Sequence, residues 1–230
     1  MGFVEAKLDS RSHEKSGLEH ALDDEALKVR ETISRPDMMA GRRVVVSGGG
    51  TGFGKATALL FARLGAEVAI CGRREEKLDE AAALIEEVTG RPVMKRQLSI
   101  RDADEVERFI GDVHDKLGGI DTLINNAGGQ YSQNAMDISR KGWLSVIDTN
   151  LNGTWWMMQE AAKRWMETGT QGNITNVVCH VERGCPQVVH TCASRAGVIY
   201  ASKSVAVEWS QYGIRVNCLA PGAIQTEGFR

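Results

Sequence analysis

Residues 43–54 read RVVVSGGGTGFG, a valine run that passes directly into a glycine-rich loop. The valines predict a short buried β-strand, and the apolar spacing after the loop, at Ala56, Leu59, Leu60 and Leu64, predicts an amphipathic helix. A glycine loop here lets the backbone approach a phosphate group, which the free N–H groups of the helix N-terminus attract. Three adjacent glycines also occur in ordinary turns, but this position favours a nucleotide pyrophosphate. The residues expected to contact it are Ser47, Gly48, Gly50, Thr51, Gly52, Phe53 and Gly54.

The remainder of the chain alternates between strand and helix patterns. Strands are predicted over 68–71, 93–98, 120–124, 174–179 and 214–219, and helices over 75–88, 102–117, 143–166 and 188–212. Strands separated by helices indicate an α/β fold of the Rossmann type, a doubly wound parallel sheet with helices on both faces. We expect one such domain over residues 41–230. Residues 1–40 are polar and form an N-terminal extension, with a short helix over 24–34 that ends before Pro36.

Composition and charge limit the partners of the protein. The net charge of −2 over 230 residues disfavours nucleic acid, which needs clustered cations. The sequence contains no run of 18 apolar residues, so it predicts no membrane span. The N-terminus also lacks a hydrophobic signal core. The five cysteines have no metal-ligand spacing. We therefore expect a cytoplasmic protein with reduced thiols, no bound metal, no nucleic-acid partner and no membrane partner.

The end of the second strand predicts which dinucleotide is bound. In dinucleotide-binding folds a carboxylate at this edge accepts hydrogen bonds from the ribose 2′-hydroxyl of NAD. This chain instead has Gly72 followed by Arg73 and Arg74, whose guanidinium groups can pair with the 2′-phosphate of NADP. The alternative is a solvated pair of arginines that faces Glu76 and Lys77 at a helix start. We expect NADP(H), selected by Arg73 and Arg74.

Four motifs in order resemble those of the short-chain dehydrogenase/reductase family. Residues 47–54 are similar to its TGxxxGxG loop with serine for threonine, residues 125–128 read NNAG, residues 150–153 match NxxG, and residues 221–222 supply a PG pair. The resemblance implies a nicotinamide cofactor and a homodimer or homotetramer. It also implies further cofactor contacts at Ser99, Ile100, Asn126, Ala127, Gly128, Pro221, Gly222, Ile224 and Thr226.

Within that family the chain resembles the 2,4-dienoyl-CoA and trans-2-enoyl-CoA reductases over residues 125–130, 190–198 and 221–228. Bacterial dehydrogenases of terpenoid alcohols are similar over the same stretches. The resemblance implies a small-molecule substrate, with an enoyl or dienoyl thioester such as an acyl-CoA as the first candidate. An alcohol or aldehyde is the alternative substrate within the same family.

The catalytic set of the family is a Ser, a Tyr and a Lys together with an Asn, and the resemblance places only the Asn unchanged, at Asn150. It puts Cys179 at the Ser position, Thr191 at the Tyr position and Arg195 at the Lys position. Dienoyl-CoA reductases carry a Tyr fifteen residues before their Lys, and the matching residue here is His180. The expected catalytic residues are therefore Asn150, His180, Thr191 and Arg195.

These substitutions change the chemistry that can be expected. The pKa of a threonine hydroxyl lies far above that of a phenol, and arginine stays charged, so carbonyl–alcohol interconversion by the family's route is disfavoured. Reduction of an activated double bond instead needs hydrogen-bond donors to an enolate oxygen. An imidazole is the side-chain group best suited to donate a proton near neutral pH, which favours His180 as the acid, although a loop histidine bonded to backbone is the alternative. A catalytically impaired dinucleotide-binding scaffold is the rival from another class.

Tyr200 and Lys203 form a second candidate pair, because side chains three residues apart share one face of a helix. Tyr200 lies five residues beyond Arg195, about 140° around the helix axis. We therefore expect Tyr200 to point away from the catalytic residues. His190, next to the helix start, is expected to cap the helix or to pack.

Two further expectations concern the surface and the end of the chain. The helix over 143–166 carries more large apolar groups, Trp155, Trp156 and Trp165 among them, than one face can bury, which predicts a subunit interface as well as core. The chain ends eight residues after Gly222, where family members continue through a substrate loop and a seventh strand. We therefore expect its C-terminal part to be truncated.

Overall fold

The structure, a computed structural model, describes residues 23–180, 182–222, 224 and 226. A parallel sheet lies at its centre, with the spatial order third, second, first, fourth, fifth, sixth strand. The order reverses between the first and fourth strands, and such a switch point opens a crevice at their carboxyl ends. The predicted doubly wound α/β fold is confirmed. The strands are β1 (Arg43–Ser47), β2 (Glu67–Gly72), β3 (Met94–Gln97), β4 (Thr122–Asn125), β5 (Gly172–Val177) and β6 (Ile214–Leu219).

Helices cover both faces of this sheet. They are α1 (Asp24–Val29), α2 (Gly52–Arg63), α3 (Glu75–Thr89), α4 (Ala103–Leu117), α5 (Arg140–Ile147), α6 (Gly153–Thr168) and α7 (Val189–Glu208). Side-chain caps start several of them: Asp102 accepts from the backbone N–H of Glu105 ahead of α4, and Ser139 accepts from that of Gly142 ahead of α5. None of the helices in the described residues has the length and apolar character that crossing a membrane requires.

Each face of the sheet has its own apolar core. On one face α4, α6 and α7 pack against strand residues that include Val45, Leu123 and Ile174. On the other face α2 and α3 pack against Val44 and Val46. Neighbouring valines of β1 enter different cores because successive side chains of a strand point to opposite faces. Burial on both sides explains why this strand is a continuous apolar run.

The helix predicted over 143–166 is in fact two helices, α5 and α6, joined by a π-helical segment, Asp148–Asn152. In this segment the backbone N–H of Gly153 donates to the carbonyl of Asp148, five residues earlier. Gly153 also allows a close approach, since a Cβ there would lie 2.6 Å from the Ile100 side chain. One extra residue in a helical turn leaves the apolar period on either side intact. The sequence therefore predicts one continuous helix where the structure has two.

Helix α1 is shorter than the predicted 24–34 and ends at Val29. Its last carbonyls are bound by another element: Arg63 of α2 donates to the carbonyl of Leu27 at 3.0 Å and to that of Arg30 at 2.7 Å. These bonds replace the continuation of the helix, because carbonyls at a helix end need a donor from elsewhere. The helix predicted over 188–212 likewise ends at Glu208, followed by a 3₁₀ turn.

The described end of the N-terminal extension is docked on α2 and α3. Asp24 pairs with Lys55 at 2.5 Å, and Lys28 pairs with Glu87 at 2.8 Å. Between them Leu27 packs against the apolar core under α2 and α3. The rest of the extension, residues 1–22, lies outside the described residues.

The tryptophans of α6 contribute mainly to the core. Trp165 is 1% exposed and donates its Nε1–H to the carbonyl of Ile120 at 2.6 Å. Trp155 stacks on Trp209, with 6.2 Å between the ring centroids. Within 143–166, where exposed apolar groups are expected, Trp143 and Leu144 on α5 are exposed. Further exposed large side chains lie on α7, at Val189, Tyr200 and Val207.

Candidate active site

The crevice between β1 and β4 opens into a cleft of about 270 Å³. The glycine loop after β1 forms one wall, and the ends of β2, β3 and β4 form the others. Most of the predicted cofactor contacts therefore meet in one place. The lining residues are Gly48, Gly50, Thr51, Gly52, Phe53, Gly72, Arg73, Arg74, Lys77, Leu78, Leu98, Ser99, Ile100, Asn126, Ala127, Gly128, Thr149 and Thr226.

The glycines of the loop are required by its geometry. Gly48 and Gly52 have φ angles of +68° and +53°, in the left-handed region that favours glycine. Gly54 in the first turn of α2 lies directly against the carbonyl of Gly48, where a Cβ would clash. A Cβ on Gly52 would come within 3.1 Å of Thr226, so Thr226 covers the loop from above. The N–H groups of Gly48 and Gly49 donate to the Cys71 carbonyl at 2.8 and 3.3 Å, which ties the loop to the end of β2 and fixes its shape.

Ser47 and Asn126 hold the glycine loop to the end of β4. The Ser47 hydroxyl accepts from the backbone N–H groups of Asn126 and Ala127, both at 3.1 Å. Asn126 in turn donates its Nδ2–H to the carbonyls of Ser47 and Gly48, both at 3.2 Å. Ser47 is 1% exposed and does not line the cleft. Its contribution to a nucleotide site is to fix the two loops that do.

The far end of the cleft is basic. Arg73 and Arg74 line it at the end of β2, and Nη2 of Arg74 lies 3.4 Å from the Thr51 hydroxyl. Lys77, on the first turns of α3, lines the same end and pairs with Glu80 at 2.7 Å. Among the described residues that line the cleft, none is Asp or Glu. An anion is therefore favoured here over a hydroxyl that needs a carboxylate acceptor.

Sequence reasoning missed some lining residues and placed others that do not line the cleft. Leu78, Leu98 and Thr149 reach it through the packing of α3, β3 and the π-helical segment, for which the sequence carries no local signal. Lys77 lies in the first turn of the helix that follows Arg73 and Arg74, and this position after the second strand could have identified it. The predicted contacts that are not part of the lining are Ser47, Gly54, Pro221, Gly222 and Ile224.

Asn150 is buried within the π-helical segment and binds the loop after β4. Its Nδ2–H donates to the carbonyl of Gly129 at 2.9 Å, and its Oδ1 accepts from the Gly129 N–H at 2.8 Å. Both bonds of the amide go to one backbone unit, which fixes the loop against the helix. The predicted catalytic Asn150 thus holds residues 126–129 in position.

Arg195 is a buried cation on α7. It is 8% exposed, and burial lowers the pKa of its guanidinium, although arginine side chains in proteins stay protonated at neutral pH. Its Nη2 packs directly on Gly128, at the wall of the cleft. In the part of the chain that the structure describes, its Nη1 has no hydrogen-bond partner. A buried charge without a partner is costly, so this position favours a ligand oxygen.

Thr191 and His190 lie one turn before Arg195 and are also buried, at 5% and 0% exposure. The Nδ1 of His190 accepts from the Thr191 backbone N–H at 2.8 Å and lies 3.3 Å from the Thr191 hydroxyl. Its ring packs edge-on against Tyr131, with 4.6 Å between centroids. The structure thus places His190 as a packing residue that borders the predicted catalytic threonine.

The other candidate acid groups lie outside this buried cluster. The His180 side chain is 66% exposed and has its Nε2 3.5 Å from Glu182, on the segment between β5 and α7. Tyr200 is 70% exposed, with the Lys203 ammonium 4.8 Å from its ring centroid. Cys179, at the family's Ser position, is partly buried, and burial raises the pKa of its thiol. Thr191 and Arg195 are therefore brought together near the cleft, and His180 is not.

A parallel, doubly wound sheet with a glycine-walled cleft at its switch point defines a dinucleotide-binding α/β protein. Residues 42–230 match the model of one family of that class, described as short chain dehydrogenase. The chain belongs to the short-chain dehydrogenase family, oxidoreductases that use a nicotinamide dinucleotide cofactor.

Similar proteins include two dienoyl-CoA reductases by name. A probable 2,4-dienoyl-CoA reductase of Caenorhabditis elegans is 37% identical over 201 residues, which cover 86% of this chain and 65% of that protein. One from Bacillus subtilis is 38% identical over 192 residues, covering 83% of this chain and 75% of that protein. Among solved structures, the citronellol catabolism dehydrogenase of Pseudomonas aeruginosa has a TM-score of 0.79 at 36% identity, covering 83% of this chain and 78% of the other. The chain thus spans about two thirds of the length of the nematode relative.

The site fits a nicotinamide dinucleotide on two observations. The glycine loop packs closely on α3, where a Cβ at Gly50 would lie 3.1 Å from the Lys77 backbone, and the cleft of about 270 Å³ remains open beside it. The guanidinium of Arg195, whose Nη2 lies against Gly128 and whose Nη1 has no hydrogen-bond partner among the described residues, puts an uncompensated positive charge directly behind the lining of the cleft. The loop of residues 48–54 would hold the pyrophosphate, and residues 126–128 with Arg195 would hold the half of the cofactor that enters the chemistry.

Burial of His190 predicts a pH dependence of stability. Burial lowers the pKa of its imidazole below the ordinary value of 6.5, so the unfolded chain takes up the proton at a higher pH than the folded one. The free energy of unfolding should therefore fall as the pH drops below about 6.5. Urea denaturation at about pH 7.5 and 5.5 should show a smaller fall for His190→Gln than for the wild type. The exposed His180→Gln is the control and should keep the wild-type fall; equal falls in both variants would contradict the assignment.

Proposed function

We propose that this protein is an NADP(H)-dependent reductase of an enoyl or dienoyl thioester, such as an acyl-CoA, and that it works in the cytoplasm. Two relatives at 37% and 38% identity are named as dienoyl-CoA reductases, which supports the substrate class. The basic end of the cleft, with Arg73, Arg74 and Lys77, supports NADP(H) over NAD(H).

The residues of the cleft have distinct roles in this proposal. Arg73 and Arg74 pair with the 2′-phosphate, and Lys77 adds a third cation at that end. The glycine loop binds the pyrophosphate through its N–H groups and the N-terminus of α2. When bound, the cofactor supplies a hydride. The remaining contacts are assigned to Ser99, Ile100, Asn126, Ala127, Gly128, Pro221, Gly222, Ile224 and Thr226.

The observation that carries the choice of reaction is the buried, unpartnered guanidinium of Arg195. Reduction of an enoyl thioester develops negative charge on the thioester oxygen, and fixed donors in a water-poor site stabilise such charge. Arg195 can donate without changing its protonation state, and the hydroxyl of Thr191 can donate beside it. Neither is a proton source near neutrality, so we assign the proton to His180. Because His180 is exposed, its segment must bring the imidazole inward when substrate binds.

A dehydrogenase of an alcohol or aldehyde is the second candidate. The structural similarity to the citronellol catabolism dehydrogenase favours it, at 36% identity. This reaction needs a group that exchanges a proton with the substrate oxygen near neutral pH. At the position of such a group the buried cluster has Thr191 and Arg195, which do not exchange a proton near neutral pH. These residues therefore suit the thioester reaction better than the alcohol or aldehyde reaction.

Cofactor selection can be tested with Arg73→Asp. Loss of a charge-assisted pair and gain of a carboxylate should weaken NADPH binding about tenfold to a hundredfold and leave NADH binding unchanged or stronger. Isothermal titration calorimetry with both cofactors measures this directly. Arg91→Asp, an exposed arginine outside the cleft, is the matched control and should bind like the wild type. Wild-type protein that already binds NADH as tightly as NADPH would contradict the role of Arg73.

The catalytic assignments can be tested by steady-state reduction of 2-enoyl and 2,4-dienoyl thioesters. His180→Ala should lower kcat by about two to three orders of magnitude through loss of the proton donor. Arg195→Met should lower kcat and also weaken NADPH binding, and Tyr200→Phe should behave like the wild type because Tyr200 lies outside the buried cluster of Thr191 and Arg195. An inactive Tyr200→Phe with a normal His180→Ala would instead assign the chemistry to Tyr200 and Lys203. An inactive wild type that binds NADPH would favour a dinucleotide-binding scaffold.

We propose a homodimer or homotetramer whose subunits meet through the exposed apolar side chains of α5 and α7. Leu144 and Val207 are 53% and 79% exposed on these helices. Leu144→Glu combined with Val207→Glu should shift the assembly to monomer, because a buried carboxylate at an interface is costly. Sedimentation velocity at micromolar concentration measures the mass. Val29→Glu, equally exposed but on α1, should leave the assembly intact, and a monomeric wild type would contradict the proposal.

A further inference from the structure

Polar side chains run through the buried part of the sheet next to the cleft. Asn125 on β4 and Asn176 on β5 are partners at the same level of the parallel ladder and are 1% and 0% exposed. Ser202, on α7, is also buried. Strands covered on both faces ordinarily carry Val, Ile or Leu at such positions. The amide side chains of Asn125 and Asn176 therefore do more than contribute to apolar packing.

The side chains form a series of hydrogen bonds with one direction. Asn125 donates Nδ2–H to Oδ1 of Asn176 at 2.9 Å, and Asn176 donates Nδ2–H to Oγ of Ser202 at 2.8 Å. Ser202 then donates its hydroxyl proton to the backbone carbonyl of Val198 at 2.7 Å. The Nδ2 of Asn176 also lies 3.0 Å from the sulfur of Met158 on α6. In this arrangement the Asn176 amide uses its oxygen towards Asn125 and its nitrogen towards Ser202, so one side chain joins β4 to α7.

The two ends of this series carry residues of the site. β4 continues from Asn125 directly into Asn126 and Gly128, which line the cleft. On α7, Val198 lies three residues after Arg195, whose guanidinium packs on Gly128. The contact between Arg195 and the cleft therefore depends on where α7 lies relative to the end of β4, and the hydrogen bonds through Asn176 join these two elements.

We propose that Asn176 is a positioning residue, which sets the place of α7 against β4 and thereby the place of the Arg195 guanidinium at the dinucleotide. The inference rests on the proposed function, in which Arg195 contacts the cofactor and the substrate oxygen. Asn176 is fully buried and acts only through Arg195. An apolar side chain of similar size could fill the same space, but apolar contacts have no direction and would not fix one placement of the helix.

Two variants remove the directional bonds to different extents. Asn176→Leu removes both amide bonds, and the milder Ser202→Ala removes only the acceptor while keeping a strong helix former. Each should weaken NADPH binding and lower kcat for the thioester about tenfold to a hundredfold, the loss expected when a contacting group is displaced by about 1 Å. Ser204→Ala is the matched control, because Ser204 bonds to the Tyr200 carbonyl four residues earlier on the exposed side of α7. It should match the wild type.

The deciding measurement is NADPH affinity, by calorimetry, in a double-mutant cycle with Arg195→Met. If Asn176 acts through Arg195, both variants should weaken binding much less in the Arg195→Met background than in the wild type. Equal losses in the two backgrounds, or no loss in the wild type, would overturn the proposal. Ser202→Ala alone decides the question should Asn176→Leu not fold. Because the readout is binding, a wild type that reduces no thioester would refute the proposed function and leave this test valid.

Discussion

The close packing of the first turn of α2 on the glycine loop is the constraint on which the rest of the site depends. Gly54 touches the Gly48 carbonyl, and the same carbonyl accepts a hydrogen bond from Asn126 at the end of β4. Three elements therefore meet where there is no room for a Cβ. This contact sets the direction of α2, whose N-terminus faces the cleft, and it joins the loops after β1 and β4. The basic wall and the buried cluster on α7 are arranged around it.

The site also contains a charge that the protein leaves without a partner. Arg195 is buried beside Gly128, and within the described residues no carboxylate pairs with it. A lysine ammonium at this position could lose its proton when it is desolvated, whereas the guanidinium of Arg195 cannot do so at physiological pH. The chain thus keeps a permanent positive charge behind Gly128, apart from the basic region that Arg73 and Arg74 form where they line the cleft.

The sequence predicted those features that a local pattern encodes. The valine run, the loop and strand β6, over 214–219, follow from apolar period and glycine placement, and the structure has them there. Thr191 and Arg195 are four residues apart on a helix, so one face buries both. His180 was placed by counting fifteen residues through a loop, where spacing fixes no direction, and it is exposed. Thr149 and the Asn125–Asn176 contact arise from elements distant in sequence, for which one chain gives no signal.

The π-helical segment has a consequence for how this chain tolerates changes in length. Its extra residue is absorbed within one turn, so α6 keeps its apolar face on the core and α5 keeps Val146 buried, although Asn150 between them faces the loop after β4. Removing one residue from 148–152 would let the turn close as an ordinary α-helix, with the tryptophan-bearing face of α6 still packed. We expect such a chain to keep its sheet and to lose the clamp on Gly129, because Asn150 reaches that loop from the π-helical turn. The extra residue thus serves the geometry of the site.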